Sequence, residues 1–461
     1  MSIEISTHET SGSHDPVAAS AIAEDIGSMR LAGEMAHFPL VDLPQELLIE
    51  IFQFSGIAHG GQANAVNPLF LAKICRGWRA VVFETRAFWQ EVNLILNSHC
   101  STQISLLEEW TARAGGLPLS ISIVDPKSIL NTLLPEEELT HLLDLIRILS
   151  PQIHSLSLET PVEFYDRWRG CGLADYSWPL LSNLLLSPTM GSCGLSDPSH
   201  YLDFSSCTIL TTSPSSHYIT AIEIYTALGS CPLLQTLEAV EIVEDHDFFS
   251  NTIELRSLER LTFELHENQS HCIQSSRLLN RLRVPELRTL VLKIRTARPT
   301  RGFEFDIYPC ISQSGCQLSE LTIDGASLKE KVFMDCLRLL PTLDTLQLSK
   351  NAWLNAQREF IGLGPTSLSL MIAASPDGLL MLPNLRALTF AGSDAEFSAE
   401  LVVEVLASRW DNLGDNLETH ATLQSVTIIP ERGDASLWRV EKDQQAVFES
   451  WRRQGYGVKV E

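Results

Sequence analysis

Residues 287–292 read Leu287-Arg288-Thr289-Leu290-Val291-Leu292, and this Leu-x-x-Leu-x-Leu pattern is the main predictor of the fold. The alternation at its end is typical of a short strand that buries one face. The pattern recurs along the chain, often after a proline. The other copies are Ile153-x-x-Leu156-x-Leu158, Leu181-x-x-Leu184-x-Leu186, Leu234-x-x-Leu237, Leu258-x-x-Leu261-x-Phe263, Leu318-x-x-Leu321-x-Ile323, Leu343-x-x-Leu346-x-Leu348, Leu385-x-x-Leu388-x-Phe390 and Leu423-x-x-Val426-x-Ile428.

The intervals between these copies predict stacked units of strand and helix. Measured at the middle apolar residue, the closer spacings are 24, 25, 28, 29 and 31 residues. Helical patterns such as 139–149 and 401–410 precede most copies, so the strands should be parallel and joined by crossovers. One unit cannot bury its own leucines, but a stack of them can. The wider spacings of 38, 42 and 53 residues leave room for an insertion or for a further unit.

This periodicity resembles the leucine-rich-repeat family in a degenerate form. The Asn that follows the strand in that family stands at Asn351, but the preceding unit has Ala326 there. The resemblance implies an α/β fold in which residues 97–461 form an irregular solenoid with a curved parallel sheet. A generic α/β domain with leucine-rich strands is the alternative. Residues 187–217 are rich in Ser and Pro and are expected to form a long loop, and a polar, atypical last unit would cap the array.

A second pattern precedes the array and consists of short amphipathic segments. It opens with Leu43-Pro44-Gln45-Glu46-Leu47-Leu48-Ile49-Glu50-Ile51-Phe52 and resumes at residues 69–82. Asp42 is a suitable cap, and Pro44 suits the first turn of a helix. A unit of this size cannot hide so much apolar surface alone. Some of these side chains should therefore face either the rest of the chain or a partner protein.

The segment resembles an F-box of the F-box-like variety, which places such a domain at residues 38–96. Motif positions are matched by Leu43, Pro44, Glu46, Leu47, Leu48, Ile51 and Phe52, then by Ile74, Cys75, Trp78 and Arg79, and finally by Phe88 and Trp89. The spacer at 53–68 is longer than in the compact motif, and an unrelated helical hairpin is the alternative. The resemblance implies docking on a Skp-type adaptor and, through it, on a cullin. The docking residues that it implies are Leu43, Pro44, Leu47, Ile51, Phe52, Leu69, Ile74, Trp78 and Trp89.

Composition disfavours several other classes of protein. The net charge of −24 argues against binding to nucleic acid or to an anionic membrane, because phosphate neutralisation needs clustered cations. No run of eighteen apolar residues predicts a membrane span, and the first residues lack the pattern of a secretory signal. The ten cysteines are dispersed without a C-x-x-C pair, which predicts reduced thiols in the cytoplasm or nucleus and no metal site. Residues 1–37 are polar and acidic, as expected of a disordered tail.

The sequence contains none of the common nucleotide-binding, hydrolase and metalloprotease signatures. The expectation is therefore a noncatalytic substrate receptor without a cofactor. Its head would dock the adaptor of a Skp-cullin-F-box type ubiquitin ligase, and its repeats would hold an unknown target protein. A repeat scaffold acting outside any ligase is the first alternative, and an enzyme with a site built from loops is the second.

Overall fold

A computed structural model of the 461-residue chain describes most of the repeat region and the segments before it. The described residues are 44–55, 68–96, 100–125, 136–160, 164, 178–187, 205–212, 219–243, 251–266, 276–295, 306–350, 352–354, 360–361, 363–372, 381–391, 397–411, 423–429 and 440–460. The expected tail at 1–37 lies outside them. The chain divides into two compact units, Met1–Ile95 with His99–Leu119 and Leu96–Ser98 with Ser120–Glu461.

The first unit contains short helices and one strand. Its elements are α1 (Gln45–Ser55), α2 (Pro68–Ile74), α3 (Arg76–Glu84), a 3-10 turn (Arg86–Trp89), β1 (Glu91–Ile95) and α4 (Cys100–Ala114). Cys75 separates α2 from α3 in an extended conformation, and its Sγ accepts a hydrogen bond from the amide of Trp78 at 3.4 Å. This side-chain cap satisfies one of the free amides at the start of α3.

Helix α4 belongs to the first unit, although the sequence boundary at residue 97 assigned it to the repeat array. The amphipathic pattern of α4 gave no indication of which core it would join. Its Trp110 ring packs edge-on against Trp89 at 4.9 Å between centroids. The head is therefore completed by a helix that lies beyond the recognisable motif.

The second unit is built on a long parallel sheet, as the repeats predict. Its strand order is β2-β3-β4-β5-β7-β9-β11-β12-β14-β17-β18-β19, and β6 pairs with β7. These strands are β2 (Leu119–Val124), β3 (Ile153–Glu159), β4 (Asn183–Leu186), β5 (Ile209–Thr212), β6 (Ile219–Thr220), β7 (Thr236–Val243), β9 (Arg260–His266), β11 (Thr289–Arg295), β12 (Glu320–Asp324), β14 (Thr345–Ser349), β17 (Ala387–Ala391), β18 (Ser425–Ile429) and β19 (Gly457–Val460).

Helices occupy most intervals between these strands, which confirms the predicted α/β class. They are α5 (Glu136–Leu149), α6 (Ala221–Gly229), α7 (Ser276–Leu279), α8 (Tyr308–Ser314), α9 (Glu330–Leu337), α10 (Pro365–Ile372), α11 (Ala399–Asp411) and α12 (Lys442–Arg453).

Two short sheets lie outside the long parallel sheet. One pairs β8 (Ile253–Glu254) with β10 (Leu282–Arg283), and the other joins β13 (Ser327–Lys329), β15 (Ala352–Leu354) and β16 (Phe360–Ile361).

The leucines of the pattern stack in register across the sheet. Leu261 pairs with Leu290, which pairs with Leu321, and Leu346 and Leu388 continue the same row. All five side chains are buried. Equivalent leucines from consecutive units therefore form one continuous core, which is what makes the array stable although no single unit is.

The widest interval, 53 residues, contains a unit that the leucine pattern does not reveal. Strand β5 pairs with β4 on one side and β7 on the other, and its Leu210 aligns with Leu184 and Leu237. Cys207 and Thr212 stand where neighbouring units have leucine or another apolar residue, and both are buried. The expectation of a loop across 187–217 is thus wrong for 209–212, while residues 188–204 and 213–217 of that range lie outside the described residues.

The intervals of 42 and 38 residues are insertions instead. Strand β14 pairs directly with β17, and β17 pairs directly with β18, so no sheet strand lies between them. Strands β15 and β16 and helix α10 occupy the longer interval, and α11 occupies the other. At the end of the chain, α12 and β19 form the predicted last unit.

Candidate functional site

The predicted docking residues of α1 lie on an exposed face. Leu47 and Ile51 are 45% and 42% exposed, while Leu48 is buried. Pro44 is also exposed, and its carbonyl accepts the amides of Leu47 and Leu48 at the start of the helix. Leu43 lies outside the described residues, as does the side chain of Phe52. Pro44, Leu47 and Ile51 are spaced three and four residues apart, so they share one face of α1.

The second group of predicted docking residues lies on α2 and α3. Ile74 is 52% exposed, and Leu69 and Trp78 are half-buried. Leu71, Ala72 and Val82 are buried and hold the two helices in the unit. The guanidinium Nε of Arg79 donates to the carbonyl of Ala72 at 2.9 Å, which fixes α3 against α2.

Phe70 is a surface residue that the motif did not indicate. It is 66% exposed and lies one helical turn before Ile74, so the two side chains share a face of α2. The sequence signal was present in the spacing of four residues. It was hidden because Phe70 stands beside Leu69 and Leu71 in an unbroken apolar run, which does not show which members face outward.

Trp89 was predicted to dock the adaptor, and the structure corrects this prediction. Only 2% of its surface is exposed, and its indole Nε1 donates to the carbonyl of Val82 at 2.9 Å. The rings of Phe83 and Trp110 pack against it, and the guanidinium of Arg113 lies 4.8 Å from its centroid. Because α4 supplies Trp110 and Arg113, Trp89 is a core residue of the first unit.

The two exposed faces of this unit differ in charge. On α1, Glu46 and Glu50 accompany Leu47 and Ile51. On α2 and α3, the exposed ionisable groups from Lys73 to Arg79 are the cations Lys73, Arg76 and Arg79. Exposed apolar side chains are thus flanked by carboxylates on α1 and by cations at the junction of α2 and α3, and apolar surface bordered by charge is suited to protein contacts.

The parallel sheet of the second unit presents a mostly polar row, interrupted by Val291, on the face opposite its leucines. In register, this row runs Thr262, Val291, Thr322, Gln347, Thr389 and Thr427 across six strands. Because side chains alternate along a strand, these residues point away from the leucine core. The exposed charges of Arg260 and Lys293 lie on two of these strands, and the exposed Glu238 of the neighbouring β7 pairs with Thr262. Thr322 is buried, but the other polar members of the row are at least partly exposed and offer hydrogen-bonding side chains over a long surface.

The thiols that pack between repeats are poor nucleophiles. Burial raises the pKa of Cys310 to about 12 and the pKa of Cys316 to about 11, and it also raises the pKa of Cys336. These three thiols therefore remain protonated near neutral pH, and the thiolate is the reactive form.

The described residues show few features of a metal site, a hydrolytic site or a membrane span. They contain no group of three His, Cys, Asp or Glu side chains placed to hold a metal ion. The hydroxyl of Ser182 lies 2.9 Å from Nε2 of His154, but both side chains sit at the exposed start of their strands. Among the helices in the described part of the chain, none is long and apolar enough to cross a membrane.

Comparisons with known proteins gave one kind of match. No protein-family model matches the chain, and no curated protein matches it. Solved structures that match include an internalin (InlF) from Listeria monocytogenes, with 13% identity and a TM-score of 0.38. That match covers 79% of this chain and 88% of the internalin chain.

Proposed function

We propose that the chain is a noncatalytic protein-binding scaffold whose head docks a Skp-type adaptor and whose repeats hold a target protein. The adaptor would connect the head to a cullin, and the chain would act as a substrate receptor in a ubiquitin ligase. It would do so in the cytoplasm or nucleus. The proposal rests on the F-box-like pattern of the head together with the exposure of its apolar residues.

The observation that carries the proposal is the exposure of Leu47, Ile51 and Ile74. These residues match motif positions, yet they remain on the surface of a unit that buries Leu48, Leu71 and Trp89. Exposed apolar side chains that recur at helical spacing are typical of a helix face that binds a partner. Their exposure within the first unit supports docking of a partner.

The proposed mechanism needs no chemistry from this chain. Holding a target and a ubiquitin-carrying enzyme on one assembly raises their effective concentration, and this alone accelerates transfer. The polar row of the parallel sheet is the surface that we assign to the target, because it is long and carries small hydrogen-bonding side chains. The receptor contributes selection and position, while another subunit contributes catalysis.

The test is a pull-down of purified Skp adaptor by the full chain and by the variant Leu47→Asp/Ile51→Asp. Because both positions are exposed, the variant should fold, which a circular dichroism melt would check. A matched control is Ile148→Asp/Leu339→Asp, since these residues of the second unit are 65% and 40% exposed. We expect the wild type and the control to bind and the head variant to lose at least about tenfold in affinity.

If neither the wild type nor the control binds the adaptor, the ligase assignment fails. The chain would then be a repeat scaffold that acts outside any ubiquitin ligase. Equal binding by all three proteins would instead exclude the face of α1 as the docking surface.

A further inference from the structure

Two cysteine thiols meet inside the repeat array, where the unit that contains β5 packs on the unit that contains β7. Cys207 lies just before β5, and Cys231 lies in the segment that leads into β7. Both side chains are buried, and both are reduced thiols in the structure. The thiol of Cys231 donates a hydrogen bond to the sulfur of Cys207, so the two sulfur atoms are neighbours.

The equivalent positions at later unit boundaries hold no sulfur. Cys207 aligns with Leu234 at the first leucine of the pattern, and Cys231 stands three residues before that leucine in the next unit. The pairs at these two positions further along are Leu234 with Leu255, Leu258 with Val284, Leu287 with Gly315, Leu318 with Leu340, and Leu343 with Leu382. Four of these five pairs are aliphatic and buried. Packing in the array therefore does not require two cysteines in contact, and the reactivity of the thiols is the property that distinguishes them.

The hydrogen bond from Cys231 changes the chemistry of Cys207. It lowers the pKa of the Cys207 thiol, because a donated hydrogen bond stabilises the thiolate, and this effect outweighs the opposing effect of burial. At Cys310, Cys316 and Cys336 burial dominates and raises the pKa of each thiol. Since the thiolate is the nucleophile, Cys207 is the most reactive of these four buried cysteines.

We propose that Cys207 and Cys231 form a redox-sensitive pair that a peroxide converts into a disulfide, which cross-links the units of β5 and β7. The Cys207 thiolate attacks one oxygen of hydrogen peroxide, the O–O bond breaks, and the leaving hydroxide takes up the proton that the thiol released. This step yields one water and a sulfenic acid at Cys207. The sulfur of Cys231 then attacks the sulfur of Cys207, the S–O bond breaks, and the proton of Cys231 leaves with the hydroxyl group as a second water. Two thiols thus give two electrons to one peroxide.

Burial determines how the oxidant reaches the pair. Neither side chain exposes any surface, so peroxide reaches the thiols only when this part of the array opens locally. The unit of β5 is suited to such opening, because it buries Thr212 where neighbouring units have an apolar residue and thus gains less from hydrophobic burial. Hydrogen peroxide is small and uncharged, so it enters a narrow apolar opening more easily than a charged or bulky oxidant does.

The cross-link acts on the array and does not depend on the proposed adaptor or target. Cys207 and Cys231 are 24 residues apart in the chain, so their disulfide restricts both the unfolded state and the locally opened state of the unit between them. In a reducing compartment such a disulfide forms transiently and is reversed by cellular dithiols. The pair therefore makes the rigidity of the β5 unit responsive to peroxide.

The experiment treats the full chain with a molar excess of hydrogen peroxide, blocks the remaining thiols with iodoacetamide in denaturant, and digests the chain with a glutamate-specific protease. Cleavage at Glu223 separates the two cysteines, so their disulfide appears in mass spectrometry as two linked peptides. We expect this product in the wild type and in the control Cys316→Ala, and its disappearance on treatment with dithiothreitol. The urea midpoint of the oxidised wild type should exceed that of the reduced wild type.

Two variants separate the steps of the reaction. Cys207→Ala should form no linked product, and peroxide should leave its urea midpoint unchanged. Cys231→Ala should stop at the sulfenic acid of Cys207, which dimedone traps as a stable adduct. The second variant keeps the nucleophile, so it tests the order of attack even where the first is poorly folded.

Several results would overturn the inference. A linked product that forms only at urea concentrations that unfold the chain would belong to the unfolded state. Oxidation of Cys207 to a sulfinic acid without a linked product would show that Cys231 cannot attack it in the folded array. Modification of the partly exposed Cys75 with both buried thiols intact would make the pair a packing feature only. An oxidised wild type that unfolds at lower urea than the reduced form would contradict a stabilising cross-link.

Discussion

At the scale of single residues, Gly325 is fixed by the close approach of two strands. It follows β12 with φ of +77°, in the left-handed region, and its amide donates to the carbonyl of Ser349 at 2.8 Å. A Cβ at this position would lie 2.2 Å from the carbonyl oxygen of Ile294. Only glycine meets both demands, because other residues pay for positive φ and would displace backbone here.

We therefore expect Gly325→Ala to lower the free energy of unfolding by about 2–4 kcal/mol. The control is Gly315→Ala, because Gly315 has φ of +60° but no atom within 4 Å of its would-be Cβ. That variant should lose only the conformational part, about 1–2 kcal/mol. Urea denaturation of the two variants measures the difference, and equal losses would show that the contact with Ile294 is unimportant.

Arg409 is a buried cation that ties an insertion to the array. Its two terminal nitrogens donate to the carbonyls of Ile372, Leu382 and Leu385, each at 3.1 Å. Ile372 ends α10, where the helix dipole favours a positive charge. Burial lowers the pKa of Arg409 to about 10, so the side chain still carries its charge at neutral pH.

Replacing Arg409 by Met should cost about 3 kcal/mol of stability, because three buried carbonyls lose their donors. The lowered pKa means that burial opposes the charged form, and stability from this group would rise only above about pH 10. The loss measured by thermal melts should consequently be constant between pH 6 and 8. The control, Arg453→Met, changes an exposed residue and should be nearly neutral. A loss as small as that of the control would mean that water replaces the guanidinium.

At the scale of elements, substitutions in β5 can distinguish a repeat unit from a loop. Leu210 is buried between the equivalent leucines of β4 and β7, whereas the adjacent Ile209 is 37% exposed. We expect Leu210→Ala to cost about 2–5 kcal/mol and Ile209→Ala less than about 1 kcal/mol. Chemical denaturation gives both values. A loop across this range would make the two substitutions equally mild.

The same element shows how far the sequence predicts the array. The copy at 153–158 and the eight copies that follow it all place sheet strands correctly. They do so because the alternation of leucines indicates the buried face of a strand directly. The unit at β5 escaped because Cys207 and Thr212 fill positions that other units give to leucine or another apolar residue. Both side chains are small enough to be buried in a parallel stack. Packing therefore accepts Cys and Thr at these positions, although a search for the leucine pattern does not recognise them.

The exposed apolar surface that we propose for docking was less predictable for a related reason. A motif of Leu, Ile and Trp specifies which side chains are apolar, but not which neighbour covers each of them. Trp89 became core because α4, which lies outside the motif, supplies Trp110 and Arg113. Leu47, Ile51 and Ile74 remained exposed. Tertiary neighbours that are distant in sequence decide such cases, and single-sequence periodicity does not contain them.

At the scale of the whole molecule, a repeat array needs a protected end. Each strand of the sheet is stabilised mainly by its neighbours, so the last strand would leave an unpaired edge that can recruit other chains. Here the edge strand is β19, which pairs with β18, is only four residues long and carries the exposed Lys459, two features that discourage pairing with another edge. Helix α12 is tied to it by Arg452, whose Nε donates to the carbonyl of Val458 at 2.6 Å. Trp410 stacks on Tyr456 at 4.3 Å and meets Trp451 edge-on at 4.7 Å, which joins α11 to this closing unit.

Deleting residues 440–461 should therefore convert a monomer into higher-mass species, because it exposes both the edge of β18 and the ring of Trp410. Size-exclusion chromatography with light scattering measures this directly. Adding Thr427→Lys to the truncated chain tests the cause, since a lysine on an edge strand blocks pairing between edges but does nothing for an unfolded array. Rescue of the monomer by this lysine would identify edge pairing. Aggregation that persists with a lowered melting temperature would identify loss of packing, and a truncated chain that stays monomeric without the lysine would show that the array closes without its last unit.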